Sequence, residues 1–297
     1  MHPSADPRTR LSRALLSLEG LSVGDGFGER FFAPEAAAWL RTHTPPPGPW
    51  QTTDDTEMAL GIVEVLARHG RIEREELARG FGQRYVREPW RGYGGTARRI
   101  LQALADGAPW RPTAAAAFGG LGSMGNGAAM RVAPLGAYFA DHPARAIDEA
   151  RASAEVTHAH AEGKAGAVAV AVAAAWVASG GAGGGALLAH VVEHTPPGET
   201  RQGIRRALEL PPDTAVADVV AVLGNGSGVI AADTVPFALW CAAHRLDDFA
   251  SALWTTVEGG GDRDTNCAIV GGIVALRVGR EGIPASWRHA REPLAIG

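Results

Sequence analysis

Stretches rich in alanine and leucine and almost free of proline recur along this chain, at 12–23, 56–69, 74–85, 96–106, 144–156, 162–178 and 266–278. Segments that alternate valine, isoleucine or threonine with polar residues are nearly absent. That pattern confines the chain to an all-α fold. Residues 168–172 do alternate, but between valine and alanine inside a longer run of small residues, 165–178. This run is shorter than the roughly 20 residues needed to span a bilayer. It reads as a buried helix whose small side chains let neighbouring helices come close. No apolar run of signal-peptide type precedes Gly20, so neither a membrane nor a targeting segment is expected. Glycine and proline mark the connectors at 42–52, 118–127, 179–185, 195–200 and 259–264. None is long and polar enough for an interdomain linker, and no internal repeat is visible. One compact domain over residues 10–290 is expected.

Composition removes several classes of function. Hydrophobic residues make up 46% of the 297 and charged residues 20%, enough apolar surface to offset the entropy of ordering the chain. The net charge of -4 argues against a general nucleic-acid binder, which carries a basic face. Cys241 and Cys267 form neither a disulfide framework nor a metal-type spacing, so a reducing, cytoplasmic location is the simpler expectation.

Three connectors end in polar clusters that precede apolar runs: Thr53-Asp54-Asp55-Thr56, Ser123-Met124-Gly125-Asn126-Gly127, and Gly259-Gly260-Gly261-Asp262-Arg263-Asp264-Thr265. A single Asp or Thr at a helix start is ordinarily an N-cap. Two helix starts with two carboxylates each exceed what capping uses, and crowded carboxylates repel unless a cation neutralises them. Oxygen donors without His or Cys point to a hard ion, Mg²⁺ or Mn²⁺, or Ca²⁺. If the two clusters meet, four carboxylates and two hydroxyls suit a two-metal site. The Ser123–Gly127 stretch has the form of a backbone cradle for an anion, with unpaired N–H groups expected at the following helix start. Arg131 would lie one turn into that helix, as a phosphate partner or, on spacing alone, as half of a surface ion pair. Trp90 to Thr96 combines aromatic side chains, Tyr93 among them, with flexible backbone. It would either wall a pocket or simply pack. His158 and His160 stand two apart, a spacing that puts them on different faces of a helix and disfavours joint chelation.

With these clusters in this order, the chain resembles the ADP-ribosylglycohydrolase family, the group that includes dinitrogenase-reductase-activating glycohydrolase and the ADP-ribosyl-acceptor hydrolases. The carriers are Gly24-Asp25 with Gly28; Thr53 to Thr56; Arg91 to Thr96; Gly125-Asn126-Gly127 with Met130 to Pro134; Thr157-His158; and Gly260-Gly261-Asp262 with Asp264-Thr265. The resemblance implies an all-α orthogonal bundle with a binuclear Mg²⁺ or Mn²⁺ centre. It assigns Thr53, Asp54, Asp55, Asp262, Asp264 and Thr265 to the metals. It places ADP-ribose phosphates near Ser123, Gly125, Asn126 and Gly127, with His158 lining the ribose side. The implied reaction is hydrolysis of the bond between the distal ribose C1 and an acceptor, such as an arginine nitrogen or a serine oxygen. The implied partners are ADP-ribose and an ADP-ribosylated protein or small molecule; separately from the resemblance, a monomer is expected. Glycosidic cleavage normally employs two carboxylates, and Asp54 or Asp55 would assist as base or acid.

The chain departs from the pattern at one place. Many members carry a glutamate seven residues after the aspartate of the first Gly-Asp motif, where this chain has Phe32. Glu29, three residues earlier, is the candidate to take over that role, and otherwise is a solvated charge beside Arg30. The departure is the one support for another reading, a catalytically inactive structural relative or an ADP-ribose-binding protein without turnover.

Overall fold

The structure is a computed structural model that describes residues 6–294. Sixteen α-helices follow one another among them. The first eight are α1 (Pro7–Glu29), α2 (Ala36–Thr42), α3 (Asp54–His69), α4 (Arg74–Arg87), α5 (Gly95–Ala105), α6 (Trp110–Ala115), α7 (Ala133–Tyr138) and α8 (Pro143–Glu155). The rest are α9 (Ala161–Ala178), α10 (Gly185–His194), α11 (Glu199–Glu209), α12 (Val216–Leu223), α13 (Ala231–His244), α14 (Phe249–Glu258), α15 (Arg263–Gly282) and α16 (Ala285–Ala290). The β pairing among the described residues is limited to two isolated bridges, Trp50 with Arg291 and Gly125 with Ile230. The fold is all-α, as the composition requires.

Two long helices organise the rest. The α1 helix starts at the Asp6 cap, whose carboxylate accepts from the amides of Arg8 and Thr9. It packs on α15 more extensively than any other pair of helices meets. The cause is a row of glycines one turn apart. A Cβ on Gly20 would fall 2.3 Å from the Gly271 carbonyl oxygen, one on Gly24 2.1 Å from that of Cys267, and one on Gly28 2.4 Å from that of Arg263. Backbone therefore lies on backbone over two turns. This brings the C-terminal end of α1 against the first turn of α15. An aromatic cluster supports the same end, with Phe27 stacked on Trp287 and edge-on to Trp50 and Trp254.

Helix α9 is long and apolar enough to cross a membrane by length and composition, but most of its window is buried within the protein. It serves as the core helix that its small side chains predict. Both cysteines are buried and free.

Two expectations need correction. The glycine-bearing segment 24–29 continues α1 where the sequence reading ended the helix at Val23. The helix expected after Ser123–Gly127 does not form there. Only a 3₁₀ turn, Asn126–Ala128, follows the loop, and α7 begins anew at Ala133 with Pro134 in its first turn. Proline lacks the amide a continuing helix needs and suits a helix start.

Replacing Gly24 with alanine is expected to lower unfolding free energy by about 2 kcal/mol, since the added methyl meets backbone that cannot rotate away. Gly80→Ala, in α4 where nothing lies within 4 Å, should be neutral or slightly stabilising. Urea unfolding of both variants checks this, and equal effects would contradict the role given to the glycine row.

Candidate active site

The first acidic cluster is built on a cap. Thr53 is the N-cap of α3, its hydroxyl accepting from the Asp55 amide. The capping position is thus filled by threonine, and neither Asp54 nor Asp55 is needed for it. Asp25, buried on α1, holds this turn in place. Its carboxylate accepts from the amide and hydroxyl of Thr53, both at 2.9 Å, and from the amide and hydroxyl of Thr56. A second tether comes from the chain's end, where Glu292 accepts from the amide and hydroxyl of Thr52, each at 2.8 Å, and from Arg91. The Arg91 carbonyl in turn accepts from the Asp54 amide at 2.7 Å.

The second cluster lies at the start of α15. Asp262 occupies the N-cap position, yet its side chain makes no capping bond. It accepts from Asn126 Nδ2 at 2.6 Å instead. Its backbone amide is bound by the Asn225 carbonyl, which also accepts from Asn266 Nδ2 at 2.7 Å. Gly226, at φ +88°, lets the 225–228 turn press on this aspartate, since a Cβ there would fall 2.7 Å from Asp262 Cβ.

The two clusters meet through the α1–α15 contact. Asp25, Asp54 and Asp55 share their environment with Asp262 and Asp264. Burial raises the Asp25 carboxyl up to about 6 against the pull of its Thr56 and Thr53 hydrogen bonds, while burial and then the neighbouring like charges hold Asp54 up to about 8 and Asp55 and Asp264 well above normal. One oxygen of Asp55 and one of Asp264 are buried without a hydrogen-bond partner. Thr265 is buried in the first turn of α15 beside them. Glu29, the last residue of α1, is half-buried. Its carboxyl is pushed upward by burial, against the neighbouring Arg30 and with the help of Asp262. Phe32 is exposed.

The glycine loop closes a third side. Ser123, Gly125, Asn126 and Gly127 lie over His158, which sits in the connector between α8 and α9. A Cβ on Gly127 would come within 3.3 Å of His158 Nε2 and one on Gly125 within 3.4 Å, so the imidazole edge needs glycine above it. Arg131 donates to Thr157 Oγ1 at 2.9 Å, which leaves the threonine hydrogen for His158 Nδ1 at 2.7 Å. That assigns the ring hydrogen to Nε2. Burial, then Arg131, hold the histidine down to about 3, so it is a neutral N–H donor. His160 plays a separate part, capping α9 through the Glu162 amide.

Three expectations about binding residues change. Arg131 is neither in a helix nor at the surface. Its guanidinium is fully buried against the Phe81 ring, bonded to the Ser153 carbonyl and Thr157, and reaches no carboxylate. It sets the tautomer of His158, its charge acts on the nearby Asp54 carboxyl, and its Nε is buried without a partner. Tyr93 is buried edge-on to Tyr85 with its hydroxyl unpartnered, so it presents no ring face to a ligand. The anion cradle lacks the helix start expected behind it, and its Gly125 and Asn126 amides are bound to Ser123 Oγ and the Val229 carbonyl. The sequence does not mark out the roles of Asp25, of Asn225 or of Thr234, which accepts from Asn126 Nδ2 at 3.0 Å. Asp25 stood inside a recognised motif. The Asn-Gly pair at 225–226 marked a turn, with nothing to show that it faced Asp262.

The sequence pattern of ADP-ribosylglycohydrolases matches residues 6–295. The chain belongs to the ADP-ribosylglycohydrolase family. ADP-ribosylhydrolase ARH3 of Homo sapiens is 30% identical over 277 residues, covering 81% of this chain and 74% of that protein. ADP-ribosyl-[dinitrogen reductase] glycohydrolase of Rhodospirillum rubrum is 28% identical over 286 residues, covering 93% and 88%. A solved structure described as an ADP-ribosylglycohydrolase-related protein complex superposes with a TM-score of 0.68 at 26% identity, over 96% of this chain and 94% of that one.

The donor set suits the divalent ions that the family resemblance implies. It is all oxygen, acidic and crowded, and it includes two buried carboxylate oxygens without partners. Carboxyls held above their ordinary value of 3.8 stabilise the fold below that pH, and the contribution is lost as pH rises through about 6 and 8. The melting temperature of chelated protein is therefore expected to fall between pH 4 and pH 8, and Mg²⁺ or Mn²⁺ to restore it at pH 8. Differential scanning calorimetry checks both, and a midpoint indifferent to pH and ion would contradict this electrostatic picture.

Proposed function

We propose that this protein hydrolyses the glycosidic bond between ADP-ribose and an acceptor on a modified protein or small molecule, arginine or serine among them, and releases ADP-ribose. The observation that carries the proposal is the meeting of two acidic helix starts some two hundred residues apart, with carboxylates spared from capping. Thr53, Asp54, Asp55, Asp262, Asp264 and Thr265 would hold two Mg²⁺ or Mn²⁺ ions. Bound there, the ions supply positive charge that can grip ribose hydroxyls and acidify a water.

The chain's own groups do the remaining work. Asp25 fixes the turn that presents Asp54 and Asp55, so these side chains need not reorganise as charge builds at C1. Asn126 holds Asp262 in place. His158, neutral, keeps an Nε2 hydrogen beneath the glycine loop, where a ribose or phosphate oxygen can accept it. Glu29 is the carboxyl best placed to exchange a proton: half-buried, next to the acidic cluster, and displaced upward in the direction such a step requires. Its position beside Asp262 answers the departure at Phe32, because an acid is present in this segment although the aligned position is aromatic. The retained cluster therefore favours turnover over a purely structural role.

The test is release of free ADP-ribose from arginine-, serine- and phosphate-linked ADP-ribose, with and without chelator. At least one linkage should be cleaved in an ion-dependent way. Asp262→Asn should lower kcat/KM by at least about a hundredfold. Glu29→Gln should lower kcat by about a hundredfold with little change in KM. Undiminished turnover in Asp262→Asn would remove the proposed centre.

A further inference from the structure

Outside this site, one group of side chains has the make-up of a different kind of metal centre. His190, Glu193 and His194 lie on α10, a helix that contributes nothing to the acidic cluster. Their ligand atoms all come within 4.8 Å of one another. Residues three and four apart share a helix face, and a histidine pair at i and i+4 is the arrangement by which one helix chelates an ion. Both rings are already oriented. His190 is stacked on Trp176 of α9 at 4.2 Å between centroids, and the His190 and His194 rings lie 4.3 Å apart. His194 Nδ1 donates to the His190 carbonyl at 2.9 Å. A carbonyl can only accept, so Nδ1 carries the hydrogen and Nε2 keeps its lone pair. An imidazole N–H tied to a backbone carbonyl is the support that metal-binding histidines ordinarily have. Glu193 is exposed and free to turn. A cavity of about 170 Å³, walled by Pro143, Ile147, Val172 and Trp176, opens beside the two rings and has room for the water that would complete four-coordination.

We propose that His190, Glu193 and His194 form a surface site for a zinc-class divalent transition ion. The two imidazoles and one carboxylate are softer donors than the all-oxygen cluster, so the two sites would sort their ions by chemistry. This proposal does not depend on the hydrolase reading.

The experiment is a Zn²⁺ titration of the chelator-treated full chain against a chromophoric zinc indicator, with Mg²⁺ in excess to saturate oxygen sites. It is paired with the visible spectrum after Co²⁺ loading. One high-affinity equivalent is expected, with intense tetrahedral Co²⁺ bands. Zinc affinity should fall at least about tenfold in His190→Ala and in His194→Gln. Glu193→Gln, at an exposed position, should weaken binding less without disturbing the fold, while Asp262→Asn leaves it unchanged. Circular dichroism confirms that each variant is folded. Zinc binding that survives in folded His190→Ala and His194→Gln, binding lost in Asp262→Asn, or no equivalent bound by the wild type would each overturn the proposal. The last result would leave the rings as an aromatic packing ladder only.

Discussion

The direct contact of the α1 and α15 backbones is the constraint on which the rest of the molecule depends. Gly20, Gly24 and Gly28 place one helix within a Cβ's width of the other. The contact ends where both helices carry acidic residues. Asp25 and Glu29 are set by α1, Asp262 and Asp264 by the first turn of α15. Because Asp25 also binds Thr53 and Thr56, the start of α3 is fixed by the same contact. Three helix ends are thereby joined at one point. A fold that brings so many carboxylates together must have a compensating reason.

Capping is not that reason. Thr53 takes the cap of α3, and the Asp262 side chain is turned to Asn126. Asp55 and Asp264 each bury an oxygen without a partner, a cost that packing alone would have removed. The local conflict is relieved by divalent ions in the proposed function, and the neighbouring glycine loop with its neutral histidine then has a substrate to hold. Arg131, below that loop, shows how far the support extends. Its fully buried guanidinium holds Thr157, which in turn orients His158.

Much of this was legible in the sequence, for identifiable reasons. The two acidic helix starts were visible because the excess of carboxylates over caps is a local property of four to seven residues. The glycines of 123–127 were visible for the same reason. Asp25 could be quoted as part of a motif but not given its role, since its partners lie 28 and 31 residues on. Arg131 was misplaced because the apolar run after Gly127 looks helical, whereas Pro134 starts a new helix instead of continuing one. Tyr93 sits in a Gly-rich stretch that reads as open loop but packs against Tyr85. Helices α10 to α14 were not anticipated at all. Pro196, Pro197, Pro211 and Pro212 crowd the boundaries of α10 to α12, and Pro236 lies inside α13, so local composition does not announce them.

The most direct measurement is anomalous diffraction from crystals grown with Mn²⁺, collected at the manganese edge. The account predicts two peaks between the first turns of α3 and α15, ligated by side chains from both Asp54–Asp55 and Asp262–Asp264. Peaks confined to one acidic stretch, or absent from both at saturating Mn²⁺, would contradict it.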